Sequence, residues 1–98
     1  MEIIILDGRE MPDRNKAYEY LDQVIRFPEY FGKNLDALND CLTELGRDVI
    51  IILTHGDAMR ESLGKYADKM IRVFSQAAEE AGFTFIEKSR ISGSASRE

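Results

Sequence analysis

Three carboxylates follow one another at four-residue steps in one segment of the chain: Asp36, Asp40 and Glu44. At 100° per residue of an α-helix, the two aspartates share one side with Asn39 and Thr43, and Glu44 lies at its edge. No Lys or Arg occurs between residues 34 and 46, and like charges at this spacing cost about 0.2–0.5 kcal/mol per pair. The pattern therefore indicates a surface that binds a basic partner.

An ordinary solvated surface is the alternative, because most acidic helix faces are of that kind. Asp36 falls in the first helical turn, where the helix dipole stabilises a carboxylate by about 0.3–1 kcal/mol, so it is explained without a partner. Asp40 and Glu44 lie too far along the helix for that benefit. Spacing alone leaves both interpretations open.

The helix that would position these carboxylates has recognisable ends. Asn34 is predicted as its N-cap, since its side-chain oxygen can accept a free N–H of the first turn. We expect the helix to end near Gly46, because glycine tolerates the left-handed conformation that follows many helices. The side opposite the acids is predicted to be core and carries four leucines: Leu35, Leu38, Leu42 and Leu45.

Two aromatic residues, Tyr30 and Phe31, lie between Pro28 and Gly32 in the loop that leads to this helix. Tyrosine is common at recognition surfaces because its large rigid ring ends in a polar group. We expect one ring to pack in the core and the other to be exposed, and the sequence leaves open which is which.

Catalysis is the next possibility, since Cys41 and His55 are the only thiol and the only imidazole. Cys41 is predicted near the apolar side of its helix, where a thiol is usually inert, and His55 follows a strand in a turn. A metal site built from Asp36, Asp40 and His55 lacks a second His or Cys at ligand spacing. We therefore predict no enzyme activity, no metal and no cofactor, and rank a hydrolase that uses Cys41 last.

Composition limits the kind of partner. The 98 residues include 18 acidic and 13 basic ones, for a net charge of −5, and the basic residues are scattered. This balance disfavours nucleic acid or an anionic membrane and favours a cationic protein. The apolar runs are too short to span a membrane, no secretory signal pattern opens the chain, and the single cysteine excludes an internal disulfide. We expect a cytoplasmic protein that is monomeric when free.

Apolar periodicity predicts the fold class. Residues 3–6, 49–53 and 83–87 are candidate strands, and the first two are typical of strands buried on both faces of a parallel sheet. Helical patterns fill the intervals, which predicts an α/β fold with a small parallel sheet covered by helices.

The helix ends outside the acidic segment are also predicted. The first helix has Asp13 or Asn15 as its cap, a short helix between residues 57 and 63 ends at Gly64, and a longer one stops at Gly82. One domain is expected over residues 1–88. The Ser- and Gly-rich residues 89–98 are expected to form a disordered tail.

The segment PEYFGKNLDAL at residues 28–38, followed by Asp40 and by Leu42-Thr43, resembles the signature of the barstar family, intracellular inhibitors of secreted microbial ribonucleases. The similarity extends more loosely over residues 1–87. The resemblance implies a three-stranded parallel sheet with about four helices, and a one-to-one complex in which the acidic helix blocks the basic active site of a ribonuclease.

The same resemblance implies a role for each matching residue. Asp40 would take the place of the substrate phosphate, Asp36 would pair with a further basic group, and Tyr30 would pack on the rim of the active site. The remaining contacts would come from Phe31, Asn34, Leu35, Asn39, Thr43, Gln76 and Glu80.

Two positions depart from the family pattern. Asn39 stands where tryptophan is common, and Gln76 stands where an acidic contact is expected, with Glu80 one turn further on. These departures motivate a second hypothesis, a binding module that recognises another cationic protein and does not inhibit a ribonuclease.

Overall fold

Three parallel strands form one sheet in the order β1-β2-β3. The computed structural model describes residues 1–27 and 32–88, with strands β1 (Glu2–Asp7), β2 (Val49–Thr54) and β3 (Thr84–Glu87). The helices are α1 (Arg14–Ile25), α2 (Leu35–Leu42), α3 (Gly56–Leu63) and α4 (Lys65–Ala81). The predicted α/β class and the three-stranded parallel sheet are confirmed, and a short 3₁₀ helix at Gly8–Glu10 was not anticipated.

The core lies between the helices and one face of the sheet, called here the inner face. Every second strand residue points into it, for example Leu6, Ile51 and Leu53. The helices contribute buried apolar residues to the same cluster, among them Leu38 and Phe74. This packing places α2 on the inner-face side of the sheet.

The opposite face of the sheet, called here the outer face, is open to solvent at Ile3 and Ile5 of β1 and at Ile86 of β3. The expectation that the strands are buried on both faces is therefore wrong. A continuous apolar run is typical of a strand between two layers, but among the described residues no second layer covers Ile3, Ile5 and Ile86.

The helix ends follow the predicted signals at four of five places, one of which is the start of α2 at Asn34. Asp13 caps α1 and accepts a hydrogen bond from the Lys16 N–H at 2.9 Å, so the first of its two candidate caps is the correct one. Helix α3 ends at Gly64 and α4 at Gly82, both with positive φ.

Helix α2 is shorter than predicted and ends at Leu42, with Thr43 as its C-cap. The N–H groups of Glu44 and Leu45 then bond to carbonyls three residues back, those of Cys41 and Leu42, at 3.3 and 3.0 Å. A tightened last turn of this kind satisfies the carbonyls without a left-handed glycine, and Gly46 does not have positive φ.

The predicted tail at 89–98 and the aromatic pair Tyr30 and Phe31 lie outside the described residues. Within the described ranges, no helix has the length and apolar character needed to cross a bilayer.

Candidate functional site

Asn34 fixes the start of α2. Its side-chain oxygen accepts a hydrogen bond from the Ala37 N–H at 2.8 Å, and its side-chain nitrogen donates to the Gly32 carbonyl at 3.2 Å. The predicted cap is confirmed. Asn34 itself is exposed, so the cap lies at the surface beside the acidic helix.

Two residues with left-handed backbone flank the loop that leads to this cap. Arg26, with φ of 66°, ends α1, and Lys33, with φ of 53°, immediately precedes Asn34. Residues other than glycine adopt this conformation at a cost, and such strain often occurs near binding sites. These two positions lie on either side of the segment that carries Tyr30 and Phe31.

The acidic side of α2 points to solvent. Asp36 and Asp40 of α2, and Glu44 just beyond its C-cap, are exposed, whereas Leu38 and Leu42 on the other side are fully buried. The sequence-based division of the helix into an acidic and an apolar side is correct.

No cation of residues 1–27 or 32–88 forms an ion pair with these three carboxylates. The next basic residue in the chain, Arg47, lies with its side chain against Gly82, beyond the end of α4. The negative charge of the helix is thus left without neutralisation by the described part of the molecule.

The other predicted contact residues of α2 are less exposed. Asn39 and Thr43 are half-buried, and the Thr43 hydroxyl donates to the Asp40 carbonyl at 3.0 Å. Leu35 is also half-buried and packs against the core. These residues border the two exposed aspartates and offer only part of their surface to a partner.

Gln76 and Glu80 are exposed on α4, one turn apart. Helix α4 packs against α2, so the second group of predicted contacts belongs to the neighbouring helix. The structure leaves Tyr30 and Phe31 undescribed.

Cys41 borders a cavity of about 300 Å³ between the C-terminal ends of α1 and α2, together with Ile25, Arg26, Phe27, Glu44 and Leu45. Burial raises the pKa of the Cys41 thiol, and the nearby carboxylates of Glu44, Asp40 and Asp22 raise it further. A raised pKa disfavours the thiolate that a nucleophile requires.

Asp22 of α1 is thus a third carboxylate near the Cys41 thiol, and the spacing within α2 gave no sign of it. It lies 18 residues before Asp40 on a different helix, and periodicity within one segment cannot detect such a neighbour. The Cys41 thiol therefore lies near carboxylates from two separate parts of the chain.

His55 faces other groups than Cys41. Its Nδ1 atom lies 3.4 Å from the Asp7 carboxylate and 3.4 Å from the Thr54 hydroxyl, and no hydrogen bond joins it to the thiol. Over residues 1–27 and 32–88, no three His, Cys, Asp or Glu side chains converge as a metal site. The geometry gives no support to the nucleophile–base pair or to the metal site considered above.

Comparison with known proteins gives a consistent result. The family model described as "Barstar (barnase inhibitor)" matches residues 1–90. The chain is also 37% identical over 81 residues to a protein of Bacillus subtilis (strain 168) named "Putative ribonuclease inhibitor YrdF", covering 82% of this chain and 89% of that protein. A family model that matches nearly the whole chain and a relative with this identity and coverage show that the chain belongs to the barstar family.

Proposed function

We propose that this protein is an inhibitor of a basic, secreted type of microbial ribonuclease, and that it acts in the cytoplasm without catalytic activity of its own. In this proposal it forms a one-to-one complex in which α2 and the loop before it occlude the active site. The observation that carries the proposal is that Asp36 and Asp40 are exposed and make no ion pair with the described residues. Family membership supports it.

The chemistry of the complex follows from the substrate that it excludes. A ribonuclease binds phosphate with cationic side chains, and a carboxylate can occupy the same place because it offers oxygen acceptors and negative charge. Asp40 takes that position and Asp36 pairs with a further cation. Both charges already lie at the surface of a helix, so little rearrangement is required for binding.

The remaining contacts surround these two aspartates. Tyr30 and Phe31 supply aromatic surface from the loop, and Asn34, Leu35, Asn39 and Thr43 border the carboxylates on α2. Gln76 and Glu80 extend the contact from α4. Asn39 and Gln76 are neutral, whereas the family pattern has tryptophan at the first position and an acidic residue at the second. We therefore expect this protein to bind a different ribonuclease from relatives that follow the pattern.

A matched pair of double variants tests the proposal. Asp36→Ala with Asp40→Ala removes two charges from α2, and Asp57→Ala with Glu61→Ala removes two exposed charges at the same spacing from α3. Barnase and a panel of other basic secreted ribonucleases are assayed on a fluorogenic RNA substrate. We expect the chain and the α3 variant to inhibit at least one enzyme, and the α2 variant to lose more than a hundredfold in affinity, since leaving a buried charge unpaired costs about 3–5 kcal/mol.

The second candidate, a module for another cationic protein, is favoured by the neutral side chains at Asn39 and Gln76. The same experiment separates the two functions when binding is measured beside activity. A ribonuclease that is bound through α2 and keeps its full activity would support the module. Equal losses of affinity in both double variants would show that neither function depends on the acidic side of α2.

A further inference from the structure

The outer face of the sheet carries an array of isoleucines. One row across the sheet consists of Ile3, Ile50 and Thr84. The next consists of Ile5, Ile52 and Ile86. Residues in register point to the same face of a sheet. Five isoleucines and one threonine therefore form two rows of three on the side away from the helices.

This array is the most exposed apolar surface of the described residues. The large apolar side chains with the highest exposed fractions are Met1 at 86%, Ile5 at 59%, Ile3 at 58% and Ile86 at 41%. Three of them lie on the outer face, and Met1 precedes β1 at its start. None of the six positions is charged, although 32% of the chain is. A contiguous apolar patch without charge indicates an interaction surface.

We propose that a second copy of this chain packs its own outer face on this surface and forms a weak symmetric dimer. Each copy carries a net charge of −5, so a contact between copies is favoured where no charge lies, and the six positions of the array meet that condition. A two-fold dimer brings the same patch of each copy together, and apolar faces of two sheets pack on one another in β-sandwiches.

The size of the face determines the strength of the dimer. Three strands spaced by about 4.8 Å and up to six residues long cover roughly 14 by 20 Å. Two such faces bury less than the ~1,200 Å² at the lower limit of standard interfaces, which places the dimer in the weak class. Residues 89–98 are a poorer occupant, because they contain a single large apolar residue, Ile91.

The dimer leaves the acidic side of α2 free, since the helices lie on the inner-face side. The expectation of a free monomer then holds at low concentration and fails at high concentration. Salt acts on the two contacts in opposite directions: it screens the repulsion between two acidic copies, and it weakens attraction between the acidic helix and a basic protein.

Sedimentation velocity on the full chain between 10 µM and 1 mM, without any ribonuclease, tests this proposal independently of the proposed function. We expect a concentration-dependent dimer that strengthens with added sodium chloride. Ile5→Thr with Ile86→Thr keeps good strand formers while removing apolar surface, and should weaken the dimer at least tenfold. Thr84→Ile completes the array and should strengthen it, with circular dichroism as the check on folding.

Three results would overturn the proposal. A wild-type chain that stays monomeric at 1 mM shows that the face does not pair. A dimer unchanged by the threonine variant lies elsewhere, for example along the open edge of β1. A monomer that dimerises only after Ile91→Ser shows that residues 89–98 occupy the face instead.

Discussion

The Asn34 side-chain oxygen accepts the Ala37 N–H at 2.8 Å while the same amide group donates to the Gly32 carbonyl at 3.2 Å. One side chain thereby joins the first turn of α2 to the segment before it. Asp36 lies in that first turn, so the direction of its carboxylate depends on this cap.

Two substitutions of Asn34 should isolate the contribution of the helix cap to the free energy of unfolding. Asn34→Ala removes the acceptor and should lower the free energy of unfolding by about 1 kcal/mol, the usual cost of losing such a cap. Asn34→Asp keeps an acceptor and should cost less than half of that. Urea unfolding of the three proteins measures the difference, and an equal loss in both variants would show that the cap is not what stabilises this end of α2.

The proposed complex should associate more slowly as salt is added. Exposed charges attract over about 10 Å at 0.1 M salt and over about 3 Å at 1 M, so the association rate with a basic ribonuclease should fall steeply while the dissociation rate changes little. Stopped-flow fluorescence from 0.05 to 1 M sodium chloride measures both rates. Asp36→Asn with Asp40→Asn should flatten the dependence, and an association rate independent of salt in the wild type would contradict the electrostatic mechanism.

Gly8 and Gly46 should respond in opposite ways to alanine. A Cβ atom at Gly8 would lie 2.1 Å from the His55 carbonyl oxygen, whereas at Gly46 nothing lies within 4 Å. Gly8→Ala should destabilise the fold by several kcal/mol because two backbone segments would have to separate. Gly46→Ala should be neutral or slightly stabilising, since its φ is not positive. Thermal unfolding distinguishes these outcomes, and a large loss at Gly46 would mean that it does act as a left-handed helix end.

Local signals were sufficient for most of the fold. The caps at Asp13 and Asn34 and the ends at Gly64 and Gly82 depend on short-range backbone chemistry, which a sequence displays directly. The apolar runs located all three strands. The acidic side of α2 was also readable, because helical periodicity fixes which residues share a side.

The features that were missed depend on distant parts of the chain. The open outer face could not be inferred from Ile3 and Ile5, because a continuous apolar run indicates a preference for burial and not the presence of a second layer. Asp22 comes near Cys41 although the two residues lie on different helices. The early end of α2 is the exception, because it comes from local hydrogen bonds of Glu44 and Leu45 to carbonyls three residues back, which the glycine at position 46 did not reveal.

The stability of the fold should decrease in acid partly through Asp7. Its carboxylate accepts hydrogen bonds from the side chain and the backbone N–H of Arg9, and these bonds, chiefly the side-chain one, lower the pKa of Asp7 below its ordinary value of 3.8. Asp7 therefore binds a proton more readily in the unfolded chain than in the folded one. Its contribution to the free energy of unfolding is complete above the unfolded-state pKa of 3.8, and it is lost as the pH falls through the lower pKa of the folded state. Unfolding in urea at pH 6, 4 and 3 should show the advantage of wild type over Asp7→Asn shrinking only at the acid end. Arg9→Gln should remove most of this pH dependence, and an advantage that is constant down to pH 2 would refute the assignment.

The Cys41 thiol should be unreactive at neutral pH. Burial and the carboxylates of Glu44 and Asp40 raise its pKa above the ordinary value of 9.0, and alkylation requires the thiolate. Iodoacetamide at pH 8 should therefore modify the folded chain more slowly than glutathione, and at the ordinary rate once guanidinium has unfolded it. Asp40→Asn with Glu44→Gln should accelerate the reaction of the folded protein, since it removes the two negative charges that raise the pKa of the thiol most. A folded wild-type chain that reacts faster than glutathione would reveal a stabilised thiolate, and that result would favour a catalytic role for Cys41 over the inhibitor proposed here.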